Sequence, residues 1–198
     1  MKEKILAKAS DLFLNLGFKS VTMDDIAAEM GISKKTIYSH FSTKLKLVQA
    51  STFYIMEKIN NGICDICNGE HNPIEELFYI KSLVMELLKN EKSSPQYQLQ
   101  KYYPRIFKQI KEKQFESINQ CILDNLKRGI SLGYYRKEIN LDIISRFYVN
   151  GNAGLMNFEL FPLNDFNVAD LKGDFLEYHT RAIATEKGLK ILLNILKK

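Results

Sequence analysis

Apolar residues recur at helical spacing in the first stretch of the chain, between residues 2 and 16. Intervals of three and four positions place them on one face of a helix with 3.6 residues per turn. The stripe consists of Ile5, Leu6, Ala9, Leu12, Phe13 and Leu16. Gly17 follows it, at the position where a glycine commonly ends a helix. The pattern therefore predicts a first amphipathic helix over residues 2–16.

The next two predicted helices are short and are joined by a tight turn. Thr22 stands three residues before an aspartate, as in a capping box, and Gly31 is expected to end the helix that Thr22 opens. Ser33 can cap the following helix, whose Ile37 and Phe41 lie one turn apart and supply its buried face. Two short helices joined by a glycine-containing turn indicate a helix-turn-helix unit.

The rest of the chain continues in amphipathic helices separated by loops. They are predicted over about residues 43–67, 73–89, 96–132 with an interruption at Pro104, 140–158, 168–184 and from 185 onward. Pro73 and Pro104 stand where a proline begins or interrupts a helix. We find no convincing strand, internal repeat or low-complexity tract in the sequence. The prediction is therefore an all-α protein of about nine helices.

The composition favours helices and argues against a membrane protein. Four prolines and ten glycines among 198 residues leave few breaks. The longest stretch without a charged residue, 147–158, is shorter than the roughly 20 apolar residues that cross a bilayer. Three cysteines, an odd number, do not build a disulfide framework, which agrees with a reducing compartment. Because the N-terminus lacks the pattern of a secretory signal, we expect a cytoplasmic protein with no membrane partner.

Positive charge is concentrated at the front of the chain. The net charge is +5, and residues 1–50 hold eight lysines against five acidic residues. Lys34 and Lys35 fall in the first turn of the helix capped by Ser33, where the helix dipole disfavours cations. DNA phosphates beside a helix N-terminus would relieve that conflict. Two alternatives stay open: the lysines simply face solvent, and His40 stabilises its own helix instead of contacting a base.

A spaced set of residues in the first fifty positions carries a family resemblance. The set comprises Gly17-Phe18, Val21-Thr22-Met23, Ile26-Ala27, the run from Gly31 to Phe41, Lys44 and Leu47. With this spacing, the segment resembles the N-terminal DNA-binding domain of the TetR family of bacterial transcriptional regulators. Two positions depart from the family pattern. Leu45 stands where the family usually has an acidic residue, and Lys35 replaces its usual small residue.

The resemblance implies a regulator and not an enzyme, with no cofactor. Residues 1–46 are expected to form a helix-turn-helix DNA-binding domain, and residues 47–198 a helical domain for effector binding and dimerisation. A homodimer would bind a palindromic operator in double-stranded DNA, as a repressor in the usual case, and would leave it when a small-molecule effector binds. The expected phosphate contacts are Thr22, Tyr38 and Lys44, with Ser33 and Lys34 beside them. The residues expected to face base edges are Lys35, Thr36, Ser39 and His40.

Two further sets of candidate residues lie in the C-terminal part. The residues that could line an effector pocket for an apolar or aromatic compound are Tyr79, Met85, Tyr102, Tyr103, Phe107, Phe115, Phe147, Tyr148 and Met156. The candidates for the dimer interface are Gly151, Gly154, Leu155, Leu171, Phe175 and Tyr178. Glycine inside a helix costs about 1 kcal/mol relative to alanine, and close approach of another helix can compensate. A plain aromatic core and a kink or loop over residues 150–154 remain alternatives.

A cysteine motif gives a second functional hypothesis. Cys64 and Cys67 are followed by His71, which makes a C-x-x-C-x-x-x-H pattern. The pattern resembles the active-site motif of helical alkylhydroperoxidase-like proteins, and it could also supply ligands for a metal or thiols for a redox sensor. Gly69 and Pro73 should break the helix near His71, and small apolar helix positions would suit both cysteines equally well.

Overall fold

A computed structural model describes residues 1–89 and 94–197, apart from the side chains at positions 114 and 116, and it confirms the all-α fold. Ten α-helices and no strand lie in this part of the chain. The helices are α1 (Lys2–Leu16), α2 (Met23–Met30), α3 (Lys34–His40), α4 (Lys44–Cys67), α5 (Pro73–Leu87), α6 (Pro95–Tyr102), α7 (Pro104–Ser131), α8 (Leu141–Gly154), α9 (Val168–Ile183) and α10 (Glu186–Leu196). None of the described helices is long and apolar enough to cross a membrane.

Short polar side chains set where most of the helices begin. The Thr22 hydroxyl accepts a hydrogen bond from the backbone N–H of Asp25, and the Asp25 carboxylate accepts one from the N–H of Thr22, so the predicted capping box is complete. Ser33 caps α3 through the N–H of Thr36. The residues that cap the later helices in the same way are Asn140, Asn167 and Thr185. These starts agree with the sequence prediction.

The end of α8 differs from the prediction. The helix stops at Gly154 and does not reach residue 158. Asn157 explains the stop, because its side-chain oxygen accepts a hydrogen bond from the N–H of Glu159 and so favours a turn over further helix. Leu155 and Met156 then pack with Val168 in a small apolar cluster under this loop. Residues 150–154 themselves are helical, so the alternative of a loop there is wrong.

The chain divides into two compact units. The first consists of residues 1–62 with the described residues of 85–110. Its core is apolar, and its most deeply buried side chains are Ile5, Phe13, Phe18, Ile26, Ile37 and Leu47. The rings of Phe13 and Phe18 stack with their centroids 5.1 Å apart, which fixes the end of α1 against the following loop. The functional division at residue 46 stays a prediction, because compactness assigns no function.

The second unit consists of residues 63–84 and the described residues from 111 onward. Its core cluster comprises Ile74, Leu77, Ile122, Leu126, Tyr135, Tyr148, Leu176, Ile183 and Leu192. A fully buried carboxylate, Glu76, lies in the same unit and accepts hydrogen bonds from the Asn125 amide at 2.8 Å and from the Arg128 guanidinium. The Tyr135 hydroxyl donates to the Asn125 side-chain oxygen at 3.0 Å. These partners compensate the cost of burying the charge.

Candidate nucleic-acid interface

Helix α3 has one buried face and one polar face. Ile37 and Phe41 point into the core of the first unit, as the spacing predicts. The opposite face exposes Lys34, Lys35, Tyr38, Ser39 and His40, while Thr36 is half-buried. A short helix held by an apolar face and carrying donors on the other is the geometry that enters a DNA major groove. The predicted reading residues therefore share one accessible surface, although their contacts with DNA remain predictions.

The turn before α3 fixes how that surface is presented. Gly31 adopts a left-handed conformation, with φ at 61°, which a glycine reaches without strain. The hydroxyls of Ser33 and Thr36 then lie 2.8 Å apart, and Ser33 also accepts from the N–H of Thr36. Ser33 is thus the N-cap of α3 in the free protein, and the Thr36 hydroxyl is hydrogen-bonded to the Ser33 hydroxyl. Both would contact DNA only in addition to this role.

Lys34, one of the two cations at the start of α3, already has an acidic partner within the protein. Its ammonium donates to the Asp24 carboxylate of α2 at 2.7 Å, and this hydrogen bond raises the pKa of Lys34. An internal anion therefore already meets the charge that was expected to need an external one. Both side chains are exposed, so a phosphate can compete for the lysine. Lys35, one residue further into the first turn, keeps the expected conflict with the helix dipole.

Lys44 is engaged inside the protein. Its ammonium donates to the backbone carbonyl of Lys19 at 3.0 Å and so ties the start of α4 to the loop between α1 and α2. Burial lowers the pKa of Lys44, and the charge of Asp25 acts in the opposite direction. Asp25 is also the acidic partner of Thr22 in the capping box of α2. Lys44 therefore has a structural role that sequence reasoning missed, and its expected phosphate contact would have to coexist with it.

A second brace on the same loop comes from α6 and was not visible in the sequence. The Gln98 side chain accepts a hydrogen bond from the backbone N–H of Lys19 at 3.1 Å. Gly17 lies so close to Gln98 that a Cβ atom there would overlap the side-chain amide. The Tyr103 hydroxyl donates to the carbonyl of Phe18 at 3.4 Å. The only sequence signal for this brace is Gly17 itself, whose φ of 94° requires glycine.

The candidate pocket residues do not all lie in one compact unit. Those in the first unit are Met85, Tyr102, Tyr103 and Phe107, and those in the second are Tyr79, Phe115, Phe147, Tyr148 and Met156. In the first unit, the aromatic ring of Tyr102 lies under the Lys19 ammonium at 4.7 Å, on the braced loop. In the second, Tyr148 is buried, whereas Phe147 is 66% exposed on α8.

An aromatic cluster surrounds Tyr148. Its ring centroid lies 5.6 Å from that of Phe175 and 5.0 Å from that of His179. Burial lowers the pKa of His179 to about 4, so its imidazole is neutral at neutral pH. His179 was not among the sequence candidates, because a histidine on an amphipathic helix gives no sign of what will cover it.

Some of the candidate residues for the dimer interface pack within the chain, whereas others are open to a second subunit. A Cβ atom on Gly151 would lie 2.5 Å from the Phe175 ring, so the close helix approach expected at this glycine is made by α9 of the same chain. Leu155 is buried, and Leu171 packs against the same small cluster. Gly154 has open space around it. Tyr178 is 74% exposed and is the candidate most available to a second subunit.

The cysteine motif does not form the predicted group. Cys64 is exposed, and the Sγ atom of Cys67 lies 3.6 Å from that of Cys121, which comes from α7. His71 instead packs its ring on Tyr79, with centroids 4.7 Å apart. Within the described residues, no three histidine, cysteine or acidic side chains are grouped so that they could hold a metal ion.

Comparisons with known proteins agree with the geometry of the first unit. Residues 5–51 match the family described as bacterial regulatory proteins, tetR family. The HTH-type transcriptional repressor KstR2 of Mycobacterium tuberculosis is 25% identical over 149 residues, which cover 73% of this chain and 74% of that protein. The HTH-type negative transcriptional regulator IcaR of the biofilm operon icaADBC in Staphylococcus aureus is 33% identical over 78 residues, or 39% of this chain and 42% of the relative.

A solved structure extends the likeness in fold to nearly the whole chain. A protein from Saccharomonospora viridis, solved in complex with choline, superimposes with a TM-score of 0.70 and 19% identity. The match covers 93% of this chain and 98% of the other. The relatives are regulators, and they give no support to the alternative of a thiol redox enzyme.

Proposed function

We propose that the chain is a DNA-binding transcriptional regulator of the TetR family, and that it represses transcription as a homodimer that a small-molecule effector releases from a palindromic operator. The observation that carries the proposal is the exposed polar face of α3 opposite its buried face. Two of its curated relatives are a repressor and a negative regulator, which supports repression as the direction of control.

The proposed DNA contacts follow from what each exposed side chain can donate. Lys35 can donate to guanine O6 and N7, and His40 can reach base acceptors from the same face. The Ser39 hydroxyl already donates to the Thr36 carbonyl at 2.7 Å, so it offers its oxygen as an acceptor for a base amino group. Tyr38 is 41% exposed and has its hydroxyl available to a phosphate at the edge of the groove. Thr22 and Lys44 flank this face at the starts of α2 and α4. Phosphate contacts fix the register, and the base contacts give specificity.

Dimerisation is supported by apolar side chains left exposed in the second unit. Ile143 and Phe147 lie one turn apart on α8, and Tyr178 projects from α9. A second copy of the chain would cover such side chains. Two recognition helices related by a two-fold axis would then read half-sites roughly 34 Å apart.

Effector control is supported by the aromatic cluster of Tyr148, Phe175 and His179. The rings of Tyr148 and His179 are buried and that of Phe175 is half-buried, and with the neutral imidazole they suit an apolar or aromatic molecule with one polar group. The structural neighbour from S. viridis holds choline, which shows a small molecule bound in this fold. An effector that prefers the conformation with poorly spaced recognition helices would shift the population away from DNA.

The test is selection of binders from a random pool of duplexes, followed by affinity measurements over a series of salt concentrations. A palindromic consensus with a steep salt dependence is expected, since phosphate contacts release counterions. Lys35→Ala should relax the preference at one base position in each half-site, whereas Lys190→Ala, an exposed lysine of α10, should leave the consensus unchanged. Absence of any enriched duplex at low salt would contradict the proposal.

A further inference from the structure

The three cysteines of the chain are distributed unevenly in space. Cys67 is the last residue of α4 and faces Cys121 of α7, which lies 54 positions further along the sequence. Cys64 is exposed and lies one helical turn before Cys67. The regulatory function described above makes no use of any of these thiols.

The geometry of Cys67 and Cys121 suits a disulfide. Their Sγ atoms are 3.6 Å apart, and a disulfide bond would require them to approach by about 1.5 Å, to the standard S–S length. Rotation of the two side chains supplies movement on that scale, and Cys67, at the end of its helix, is followed by non-helical residues 68–72. A metal site is less suited, because the described residues offer no third ligand beside the pair.

The two facing thiols are poor direct targets for an oxidant. Burial raises the pKa of Cys67, and it raises the pKa of Cys121 to about 12. The carboxylate of Glu76 acts in the same direction on both, while Arg128 opposes it. Both groups are therefore thiols at neutral pH and react slowly with a dissolved peroxide, because the thiolate is the attacking form. Attack on a sulfur held a few ångströms away in the same chain is favoured by proximity, which offsets the small thiolate fraction. Cys64, by contrast, is accessible to solvent.

We propose that Cys67 and Cys121 are a redox modification site that forms an intramolecular disulfide, with Cys64 as the thiol that meets the oxidant. A hydroperoxide ROOH first converts Cys64 to a sulfenic acid and leaves as ROH. The Cys67 sulfur then displaces water to give a Cys64–Cys67 disulfide. The Cys121 sulfur attacks Cys67, which releases Cys64 as a thiol, and two thiols and one hydroperoxide have become one disulfide, one alcohol and one water.

The first test uses the reduced full-length protein and hydrogen peroxide as the hydroperoxide. Thiol titration should show the loss of two of the three thiols, and peptide mapping without reductant should show Cys67 joined to Cys121 within one chain. Recovery of all three thiols after addition of dithiothreitol should follow. A protein in which Cys64 alone is oxidised, or in which Cys64 joins two chains, would overturn the proposal.

Two variants separate the role of each thiol. Cys64→Ser should slow formation of the Cys67–Cys121 disulfide by about tenfold or more, because the remaining thiols are half-buried and protonated. Cys121→Ser should stop the reaction with Cys64 as a sulfenic acid or joined to Cys67, which a dimedone label and peptide mapping distinguish. Unchanged kinetics in Cys64→Ser would remove Cys64 from the scheme and overturn it. The unmodified protein provides the pairing result even if Cys121→Ser folds poorly.

Discussion

The two compact units differ in the kinds of polar side chain that they bury. In the first unit the buried polar side chains are hydroxyls, and two of them, Ser10 and Thr52, bond to carbonyls of their own helices. In the second unit a carboxylate, an amide and an imidazole are buried, in Glu76, Asn125 and His179. The first unit therefore has its functional groups on the surface of an apolar core, whereas the second holds polar groups that depend on precise partners.

This difference predicts that the second unit is more sensitive to loss of a single polar side chain. Glu76→Ala removes one of the two acceptors of the Asn125 amide, which keeps the Pro73 carbonyl, and it removes the acidic partner of Arg128, which is 40% exposed. We expect the free energy of unfolding to fall by about 2–3 kcal/mol, because hydrogen bonds to a charged group contribute roughly 1.5–3 kcal/mol. Urea unfolding measures it. Glu70→Ala, an exposed glutamate in the preceding loop, serves as the control and should cost almost nothing.

The second unit should also lose stability in acid through His179. Burial depresses its pKa to about 4, so the unfolded chain, with an ordinary histidine pKa near 6.5, binds a proton more readily. Stability should therefore fall as the pH drops from about 6.5 towards 4, by up to about 3 kcal/mol for this group. Unfolding measured at several pH values checks this.

The matched variants for that pH dependence are His179→Phe and His71→Phe. The former should remove the dependence between pH 6.5 and 4, because no titrating group remains at the buried position. The latter changes an exposed histidine and should preserve it. If the two variants show the same pH profile as the parent, the acid sensitivity has another source.

The first unit should be most sensitive where its loop is braced. Gly17→Ala forces a side chain into a positive φ of 94° and displaces Gln98 from the N–H of Lys19. The expected cost is about 2 kcal/mol, from backbone strain of about 1 kcal/mol and one lost hydrogen bond. Gln98→Ala is the control, since it removes the hydrogen bond to the N–H of Lys19 without straining the backbone at residue 17, and it should cost about 1 kcal/mol. An unchanged thermal unfolding of Gln98→Ala would show that Gln98 contributes nothing.

The smallest expected effect is on DNA affinity, through an exposed side chain of the first unit. Tyr38→Phe removes the hydroxyl proposed to donate to a phosphate and should weaken operator binding by about 0.5–1.5 kcal/mol, with little effect on folding. The loss should be similar for all duplex sequences, because a phosphate contact carries no base information. Tyr54→Phe, a tyrosine change in α4 outside the proposed DNA contacts, is the control. Identical affinities of the parent and Tyr38→Phe at several salt concentrations would exclude the contact.

Contacts between residues close together in the sequence could be predicted, whereas contacts between distant residues could not. The capping box of Thr22 and Asp25 spans three residues, and its outcome was foreseen. Lys34 pairs with Asp24, ten positions earlier, and no local pattern predicts this pair. The sequence therefore points to an external anion at the start of α3, where the structure supplies an internal one. Periodicity shows which face of a helix is buried, but it does not show which neighbouring helix covers that face.

The glycines also show that a local role can be predicted from the sequence, whereas a tertiary neighbour cannot. Gly17 and Gly31 were expected to end helices, and both do so with positive φ. For Gly151 a close helix approach was expected from a second subunit, whereas α9 of the same chain provides it. The sequence shows that a glycine at this helical position lowers helix stability, but it does not show which helix packs against it.

The sequence by itself determined the all-α class, the starts of most helices and the polar face of α3, because caps and helical periods act between residues at most a few positions apart. Only the tertiary structure decided that Gln98 braces the Gly17 loop, that Glu76 meets Arg128, and that Cys67 faces Cys121. Each of these pairs joins residues about 50 or more positions apart, and packing of the whole core selects which of many possible helix pairs come together.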